Sequence, residues 1–242
     1  MRVALCFSGQ SRDWQKSIHT IQSKIIRDLD ADVFIHTWSD VGNQVVHHEE
    51  ETYYHNTKPL DKSFLEVLKP MDYLIENADY ERFMKMKCPK INSKRYYNTR
   101  MMWYSIWKSN ELKCEYENRM GFVYDLVIRC RFDLWIEKFD LNGFTNQNTI
   151  YLPPHQNINN PFIPPMIELM KEYGIRYMPN DQLGYGSSKM MDYYSSVFSE
   201  MEKNLCKYPA HPEGTLTHHL FLEKEMQFNV EVNPNILMKI MR

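Results

Sequence analysis

The sequence predicts one α/β domain built on a mostly parallel central sheet flanked by helices. Three observations predict it: an apolar run at residues 3–7, a helical apolar repeat behind it, and a second apolar run at residues 33–38. Apolar runs without alternation are typical of strands buried on both faces of a parallel sheet. Strand, helix and strand in this order form a βαβ unit, whose strands pair in parallel through a right-handed crossover.

Length and composition agree with one domain. The 242 residues are 43% apolar and 25% charged, as in ordinary globular chains that can bury one sizeable core. We find no internal repeat, low-complexity tract or linker, so we expect residues 1–242 to form a single domain with halves of about 1–135 and 136–242.

Charge and cysteine usage exclude several classes. The net charge of −2 argues against a nucleic-acid partner, because nucleic-acid binders usually carry a basic excess. No run reaches the ~18 apolar residues of a membrane span, and a strand starting at Val3 leaves no room for a signal peptide. The five cysteines include no Cys-X-X-Cys pair, which favours reduced thiols in a cytoplasmic protein.

The elements follow from local patterns in chain order. Ile18, Ile21, Ile25 and Leu29 recur at spacings of three and four, which predicts a helix between the first two strands. The rest of the first half comprises a polar loop at 39–59, a short helix from Ser63 to Pro70, a strand at 73–75, an excursion at 79–95, a helix at 99–118 and a strand at 124–135 that leaves the sheet in its second half. The helix at 99–118 has a polar face formed by Arg100, Tyr104, Lys108 and Glu111. The last third comprises a strand at 150–152, a Pro/Asn-rich loop at 153–165, helices at 189–206 and 214–225, and a β-like run at 228–232.

Common catalytic motifs are absent from the sequence. The missing Gly-x-x-x-x-Gly-Lys-Ser/Thr argues against a P-loop phosphotransferase, and the missing Gly-x-Gly-x-x-Gly argues against a usual dinucleotide site. Neither Gly-x-Ser-x-Gly nor His-Glu-x-x-His occurs, which removes the commonest serine hydrolases and zinc proteases.

Polar residues follow the predicted strands at their carboxyl ends, where open α/β sheets bind ligands. They are Ser8, Gln10, Ser11 and Arg12 after the first strand, His36, Thr37 and Asp40 after the second, and Arg129, Arg131 and Asp133 at the fourth. The two serines could bind phosphate with the loop amides or simply cap a helix. The three charges could form a structural salt network or surround an anionic ligand and its metal.

Four segments together carry a family resemblance: the opening Val-Ala-Leu-Cys-Phe-Ser-Gly-Gln-Ser-Arg, Asp32-Val33-Phe34-Ile35-His36-Thr37-Trp38, Tyr124-Asp125-x4-Arg129-x-Arg131-x-Asp133, and Asp181-Gln182-x-x-Tyr185-Gly186. In this order they resemble the GT-A-type glycosyltransferases of bacterial polysaccharide clusters and of large DNA viruses and phages. The resemblance implies a GT-A-like, Rossmann-like fold, with a nucleotide-sugar-binding first half and an acceptor-binding second half.

The resemblance also implies roles for individual residues. Ser8, Gly9, Gln10 and Arg12 would cradle the nucleotide of a nucleotide-diphosphate sugar. Asp133 would hold Mn²⁺ or Mg²⁺ as the last position of an Asp-X-Asp motif, although Arg131 occupies the first position and could itself neutralise the diphosphate. Further donor contacts would come from His36, Tyr104, Lys108, Arg129 and Arg131.

Transfer to a glycan acceptor with inversion needs a carboxylate that takes the acceptor proton. We expect Asp181 to serve, with Glu213 second, although Asp181 could be a turn residue and Glu213 a helix start. His218 or His219 could complete a metal shell. The loops at 39–59 and 153–165 could cover the acceptor.

Two other functions fit the same residues: a nucleotidyltransferase acting on sugar phosphates, and a non-catalytic module that binds sugar nucleotides or glycans. A nucleotidyltransferase usually needs two or more clustered carboxylates for its metals, and residues 129–133 hold one. The glycosyltransferase interpretation depends on a cationic pocket rimmed by Arg12, Arg131 and Asp133.

Overall fold

A computed structural model describes residues 1–40, 44–45, 53–54, 60–78, 83, 94–141, 144, 146–154, 171, 179–203, 211–222 and 228–241. Most of the two loops predicted to cover an acceptor, 39–59 and 153–165, lies outside the described residues, as does most of the 79–95 excursion. Among the described residues, no helix combines the length and apolar character that a membrane crossing requires.

The first half runs β1 (Val3–Ser8), α1 (Trp14–Ile21) with a π-helical continuation (Gln22–Arg27), β2 (Ala31–Trp38), β3 (Gln44–Val45), β4 (Tyr53–Tyr54), α2 (Ser63–Leu68), β5 (Asp72–Glu76), α3 (Lys94–Met120) and β6 (Leu126–Cys130). The second half runs β7 (Leu134–Lys138), β8 (Thr149–Leu152), β9 (Leu183–Gly186), α4 (Ser188–Ser195), α5 (Val197–Lys203), α6 (Pro212–Thr217) with a π-helical continuation (His218–Leu222), β10 (Asn229–Val232) and β11 (Leu237–Ile240).

Seven strands form the central sheet in the order β10-β8-β9-β6-β1-β2-β5. β1 pairs in parallel with both β2 and β6, β2 with β5, and β8 with β10, while β9 runs antiparallel between β6 and β8. The predicted α/β class, the mostly parallel sheet and the opening βαβ unit are confirmed.

Apolar side chains alternate between two cores because successive strand residues point to opposite faces. On one face, Ala4, Cys6, Phe34 and Val127 pack against α3, and on the other, Leu5, Phe7, Ile35 and Ile128 pack with Ile18, Ile21 and Ile25. Packed side chains therefore cover both faces of the sheet. The polar groups at the ends of β1, β2 and β6 lie at the carboxyl edge of the sheet.

Three details differ from the expectations. The strand expected at 124–135 is two strands, of which β7 pairs antiparallel with β11 in a separate sheet. The helix expected at 189–206 breaks near Ser196 into α4 and α5. β9 is a strand where no strand was expected, because two of its four residues are glycines and contribute no side chains to an apolar pattern.

The two glycines of β9 are required by close contacts. A Cβ on Gly186 would lie 2.9 Å from the Thr149 carbonyl oxygen, and one on Gly184 would lie 3.3 Å from the Tyr194 ring. The ring of Tyr194 in α4 therefore packs directly on the backbone of β9.

The polar face expected on α3 is partly buried. Arg100 and Tyr104 are each only 2% exposed. Arg100 donates to a carboxylate oxygen of Glu202 in α5 and to the carbonyl of Phe83. These side chains tie α3 to its neighbours, which a helical repeat alone could not reveal.

Candidate functional site at the carboxyl edge of the sheet

The chain reverses its winding direction between β1 and β6. It proceeds outward from β1 to β2 and β5, and α3 then returns it to β6 on the other side of β1. Such a reversal opens a crevice at the carboxyl ends of the two strands, where open α/β sheets bind ligands. Ser8 ends β1, Arg129 lies one residue from the end of β6, and Asp181 precedes the adjoining β9.

Arg129 joins these three segments in the interior. Its residue is 2% exposed, its Nε donates to the Ser8 hydroxyl at 3.1 Å, and its Nη1 donates to the Asp181 carbonyl. Within the described part of the chain, Arg129 makes no ion pair with a carboxylate. Burial lowers the pKa of Arg129 below its ordinary value, although the charges of Tyr194 and Asp181 act in the opposite direction.

Arg131 and Asp133 form a bidentate ion pair just beyond β6. Arg131 Nε and Nη2 donate to the two Asp133 carboxylate oxygens at 2.8 and 2.7 Å. Burial opposes the charge of Arg131, but the facing Asp133 carboxylate more than compensates and raises the pKa of Arg131. The side chain of Asp133 is 6% exposed and that of Arg131 is 25% exposed, so Arg131 is the more open member of this pair.

Asp181 is a buried carboxyl group, 5% exposed, at the start of β9. Burial, followed by the negative charge of Glu213, raises the pKa of Asp181 from 3.8 to about 6, while Arg129 and Arg131 oppose that rise. Glu213 in the first turn of α6 lies 2.7 Å from His211 Nδ1. The charge of Glu213 therefore acts on Asp181, although 32 positions separate these two predicted catalytic carboxylates in the chain.

The Gly9 loop is held by a chain of hydrogen bonds. Gly9 N donates to Ser105 Oγ at 2.6 Å, and Ser105 Oγ lies 2.7 Å from His36 Nδ1. His36 Nε2 lies 2.9 Å from Glu76 Oε2, which also accepts the Tyr104 hydroxyl at 2.8 Å. This network ties the loop after β1 to β2, β5 and α3.

The protonation states in this network follow from burial. His36 is fully buried, and desolvation lowers its pKa although Glu76 favours the charged form. The hydrogen bond from His36 holds the pKa of Glu76 at about 2. A neutral imidazole can donate from Nε2 to Glu76 and accept a hydrogen bond from the Ser105 hydroxyl at Nδ1. In this state, both ring nitrogens of His36 and the Ser105 hydroxyl have a hydrogen-bond partner.

His36 and Tyr104 therefore position the loop, and their polar atoms are engaged within the protein. Their predicted donor contacts stay predictions. Lys108 pairs with Glu111 at 2.7 Å, with its ammonium 4.5 Å from the centre of the Trp107 ring. Gln10 and Arg12 are half-buried in the loop before α1, where their predicted donor contacts stay predictions.

The metal site implied by Asp133 does not fit its surroundings. Both carboxylate oxygens already accept Arg131, and a dication there would face that guanidinium. His219 is buried, stacks on Tyr193 and lies 2.9 Å from the Tyr193 carbonyl oxygen. Among the described residues, no group of three or more His, Cys, Asp or Glu side chains is arranged to hold a metal.

The expected pocket rimmed by Arg12, Arg131 and Asp133 is also altered, because two of its three members pair with each other. Arg129 and the partly exposed Arg131 contribute positive charge to this edge, and the place of Arg12 in the pocket stays a prediction. Arg129 is the residue that connects the segments predicted separately.

Sequence reasoning missed Ser105, Glu76 and Tyr194. The buried hydroxyl of Tyr194 makes no hydrogen bond to any residue that the structure describes, and the charges of Arg129 and Asp181 both act on it. None of these residues belongs to a recognisable motif. One signal was available for Ser105: it is a small polar residue that follows Tyr104 in an aromatic-rich helix. In the structure, its hydroxyl lets α3 contact the loop after β1.

No model of a known protein family matches the chain, and no curated protein matches its sequence.

Proposed function

We propose that the protein is a glycosyltransferase that moves a sugar from a nucleotide-diphosphate donor to a glycan acceptor. The observation that carries this proposal is the buried Arg129, which lies at the reversal point of the sheet without a carboxylate partner among the described residues. Burying a guanidinium without a directly paired carboxylate is costly, and an anionic ligand at the same edge would supply a paired counter-charge. The resemblance of the four segments to GT-A-type enzymes supports a diphosphate as that anion.

In this mechanism, the acceptor hydroxyl attacks the anomeric carbon as the bond from that carbon to the diphosphate oxygen breaks. The diphosphate leaves with the electron pair, and Arg129 and Arg131 stabilise the negative charge that grows on it. The acceptor proton passes to the Asp181 carboxylate. A pKa near 6 suits this role, because the group is mostly ionised at neutral pH and still basic enough to accept a proton.

The first experiment is a thermal-shift screen with nucleotide-diphosphate sugars, with Mn²⁺ and with chelator. A ligand that binds only the folded state raises the melting temperature, so at least one donor should do so. Donor hydrolysis and transfer should then fall about 10²–10⁴-fold in Asp181→Asn, the range that general-base catalysis contributes. Asp125→Asn, at the opposite edge of the sheet, is the matched control. Absence of any shift with every donor would leave the proposal without support.

One observation favours a second candidate, a non-catalytic module that binds sugar nucleotides. Arg131 occupies both oxygens of Asp133, the carboxylate that the family resemblance assigns to the metal. Such a module would show a thermal shift but neither hydrolysis nor transfer, and Asp181→Asn would not reduce binding. A nucleotidyltransferase would instead consume a sugar phosphate and a nucleoside triphosphate and release pyrophosphate.

A further inference from the structure

We infer that this protein binds the diphosphate of its donor without a divalent cation, with Arg131 in the position of the metal and Asp133 as the residue that orients Arg131. The inference rests on the proposed function and concerns the same site. It identifies the ligand chemistry as a nucleoside diphosphate recognised by two guanidinium groups.

The geometry of the ion pair carries the first step. Asp133 is almost fully buried and uses both carboxylate oxygens on one guanidinium. A metal ion at Asp133 would have to displace Arg131 and then lie beside its positive charge. The bidentate arrangement is the strongest that an arginine and a carboxylate can form, so Arg131 is the more favourable partner.

The open part of Arg131 carries the second step. A guanidinium has five N–H groups, and the two hydrogen bonds to Asp133 use one from Nε and one from Nη2. Among the described residues, the remaining N–H groups of Arg131 make no hydrogen bond, and its side chain is 25% exposed, so they are available to bind phosphate oxygens bidentately. Asp133 fixes the plane of the guanidinium and hence the direction of those donors.

Charge carries the third step. The charge of Arg131 acts on Arg129, and the charge of Asp181 acts on both arginines, so the three groups lie within one electrostatic neighbourhood. Two guanidinium groups carry the same positive charge as one divalent ion. Arg129 and Arg131 together can therefore provide the compensation that a metal provides elsewhere, without any bound ion.

The test is calorimetric titration of the full-length protein with UDP, GDP, CDP, ADP and dTDP, in EDTA and in Mn²⁺. We expect at least one of these nucleoside diphosphates to bind with dissociation constants that agree within about threefold between the two conditions. Arg131→Gln should weaken this binding about 10–100-fold, the range of a charge-assisted hydrogen bond. Arg131→Lys should recover only part of the loss, because an ammonium cannot bind bidentately.

Asp133→Asn separates an orienting role from metal binding. If Asp133 orients Arg131, this variant should weaken nucleoside diphosphate binding less than Arg131→Gln does, and equally in EDTA and in Mn²⁺. Arg119→Gln is the matched control, since this exposed arginine pairs with Asp72 at the opposite edge of the sheet and should leave binding unchanged. Unfolding curves of every variant confirm that each is folded before titration.

The outcomes distinguish this inference from the proposed function. Binding that requires Mn²⁺ and is lost in Asp133→Asn would identify Asp133 as a metal ligand and overturn the inference while the function stands. Metal-free binding that Arg131→Gln leaves unchanged would overturn it as well. If none of the five nucleoside diphosphates binds under either condition, both the inference and the proposed function are wrong.

Discussion

Two buried cations lie on the same face of the sheet, and they are compensated differently. Lys113, in the middle of α3, is fully buried and lies 2.7 Å from Asp192 and 3.0 Å from Glu117. Burial alone would lower the pKa of Lys113, but these carboxylates more than offset it and raise that pKa. Among the described residues, Arg129 hydrogen-bonds to a hydroxyl and a carbonyl and forms no ion pair, and burial lowers its pKa.

The difference separates a structural site from a candidate functional one. The Lys113 cluster contains its own counter-charges, so it needs no ligand to be stable. At the Arg129 site, the charge of Asp181 acts on the guanidinium, but no carboxylate among the described residues forms an ion pair with it. The site also lies where the sheet reverses direction, so the charge of Arg129 is available to an anion. Uncompensated charge in a crevice is a feature of functional sites, whereas buried ion pairs between helices commonly serve packing.

The largest expected effect is on stability, at Lys113. Lys113→Met would leave the carboxylates of Asp192 and Glu117 without their cation, so we expect the free energy of unfolding to fall by about 3–5 kcal/mol. Urea denaturation measures it. Lys203→Met is the control, because this lysine is exposed where it pairs with Glu200, so its replacement should change stability by less than about 1 kcal/mol. Equal losses in the two variants would contradict the structural role of Lys113.

The second-largest expected effect is also on stability, and it has opposite signs near Arg129 and near Lys113. In Asp181→Asn, we expect the free energy of unfolding to rise at pH 8 by up to roughly 3 kcal/mol, because the folded state raises the pKa of Asp181 from 3.8 to about 6 and so disfavours its charged form. Asp192→Asn should instead lower stability, because it removes a partner of Lys113.

The pH dependence sharpens this contrast. A carboxyl whose pKa is raised on folding takes up its proton in the folded state first, so wild-type stability gains as pH falls from about 6 towards 3.8. The advantage of Asp181→Asn over wild type should therefore shrink across that range. Urea denaturation of both proteins at several pH values measures it, and a constant difference would show that Asp181 titrates normally.

At Arg129, the expected effect falls on ligand binding more than on stability. Arg129→Met removes a costly buried charge but leaves Ser8 and the Asp181 carbonyl without their donor, so the net stability change should stay within about 1–3 kcal/mol. The melting-temperature shift produced by a nucleotide-diphosphate sugar should disappear. Lys113→Met, heated from a temperature at which it is folded, should keep that shift. Loss of the shift in both variants would contradict the distinction between the two sites.

The smallest expected effect is at the Gly9 loop. Gly9 has a φ of +98°, and a Cβ there would meet no atom within 4 Å, so Gly9→Ala should cost only the backbone strain of about 1–2 kcal/mol. Ser105→Ala should cost a similar amount, because Gly9 N and His36 Nδ1 lose a common partner. Thermal unfolding measures both, and Gly121→Ala is the control for a positive-φ glycine remote from the loop.

Local patterns predicted most elements of the first half. Val3 to Phe7, the Ile18–Ile21–Ile25 repeat and Val33 to Trp38 identified the βαβ unit, because an apolar run or a period of three and four reports burial directly. β9 escaped prediction because Gly184 and Gly186 have no side chains that could show a period. Arg100 and Tyr104 were placed on a polar face, since a repeat reports which residues are polar but not which polar residues are buried with partners.

For the candidate site, the sequence predicted that Ser8, Arg129, Arg131 and Asp133 lie at strand ends, since chain order and strand polarity suffice to locate the edge of a parallel sheet. It could not tell which of these side chains would pair with each other. That choice depends on distances between residues far apart in the chain, as with Ser8 and Arg129, and on how much water each group loses. Only the tertiary structure therefore decided that Asp133 holds Arg131 and that Arg129 is buried without a carboxylate among the described residues.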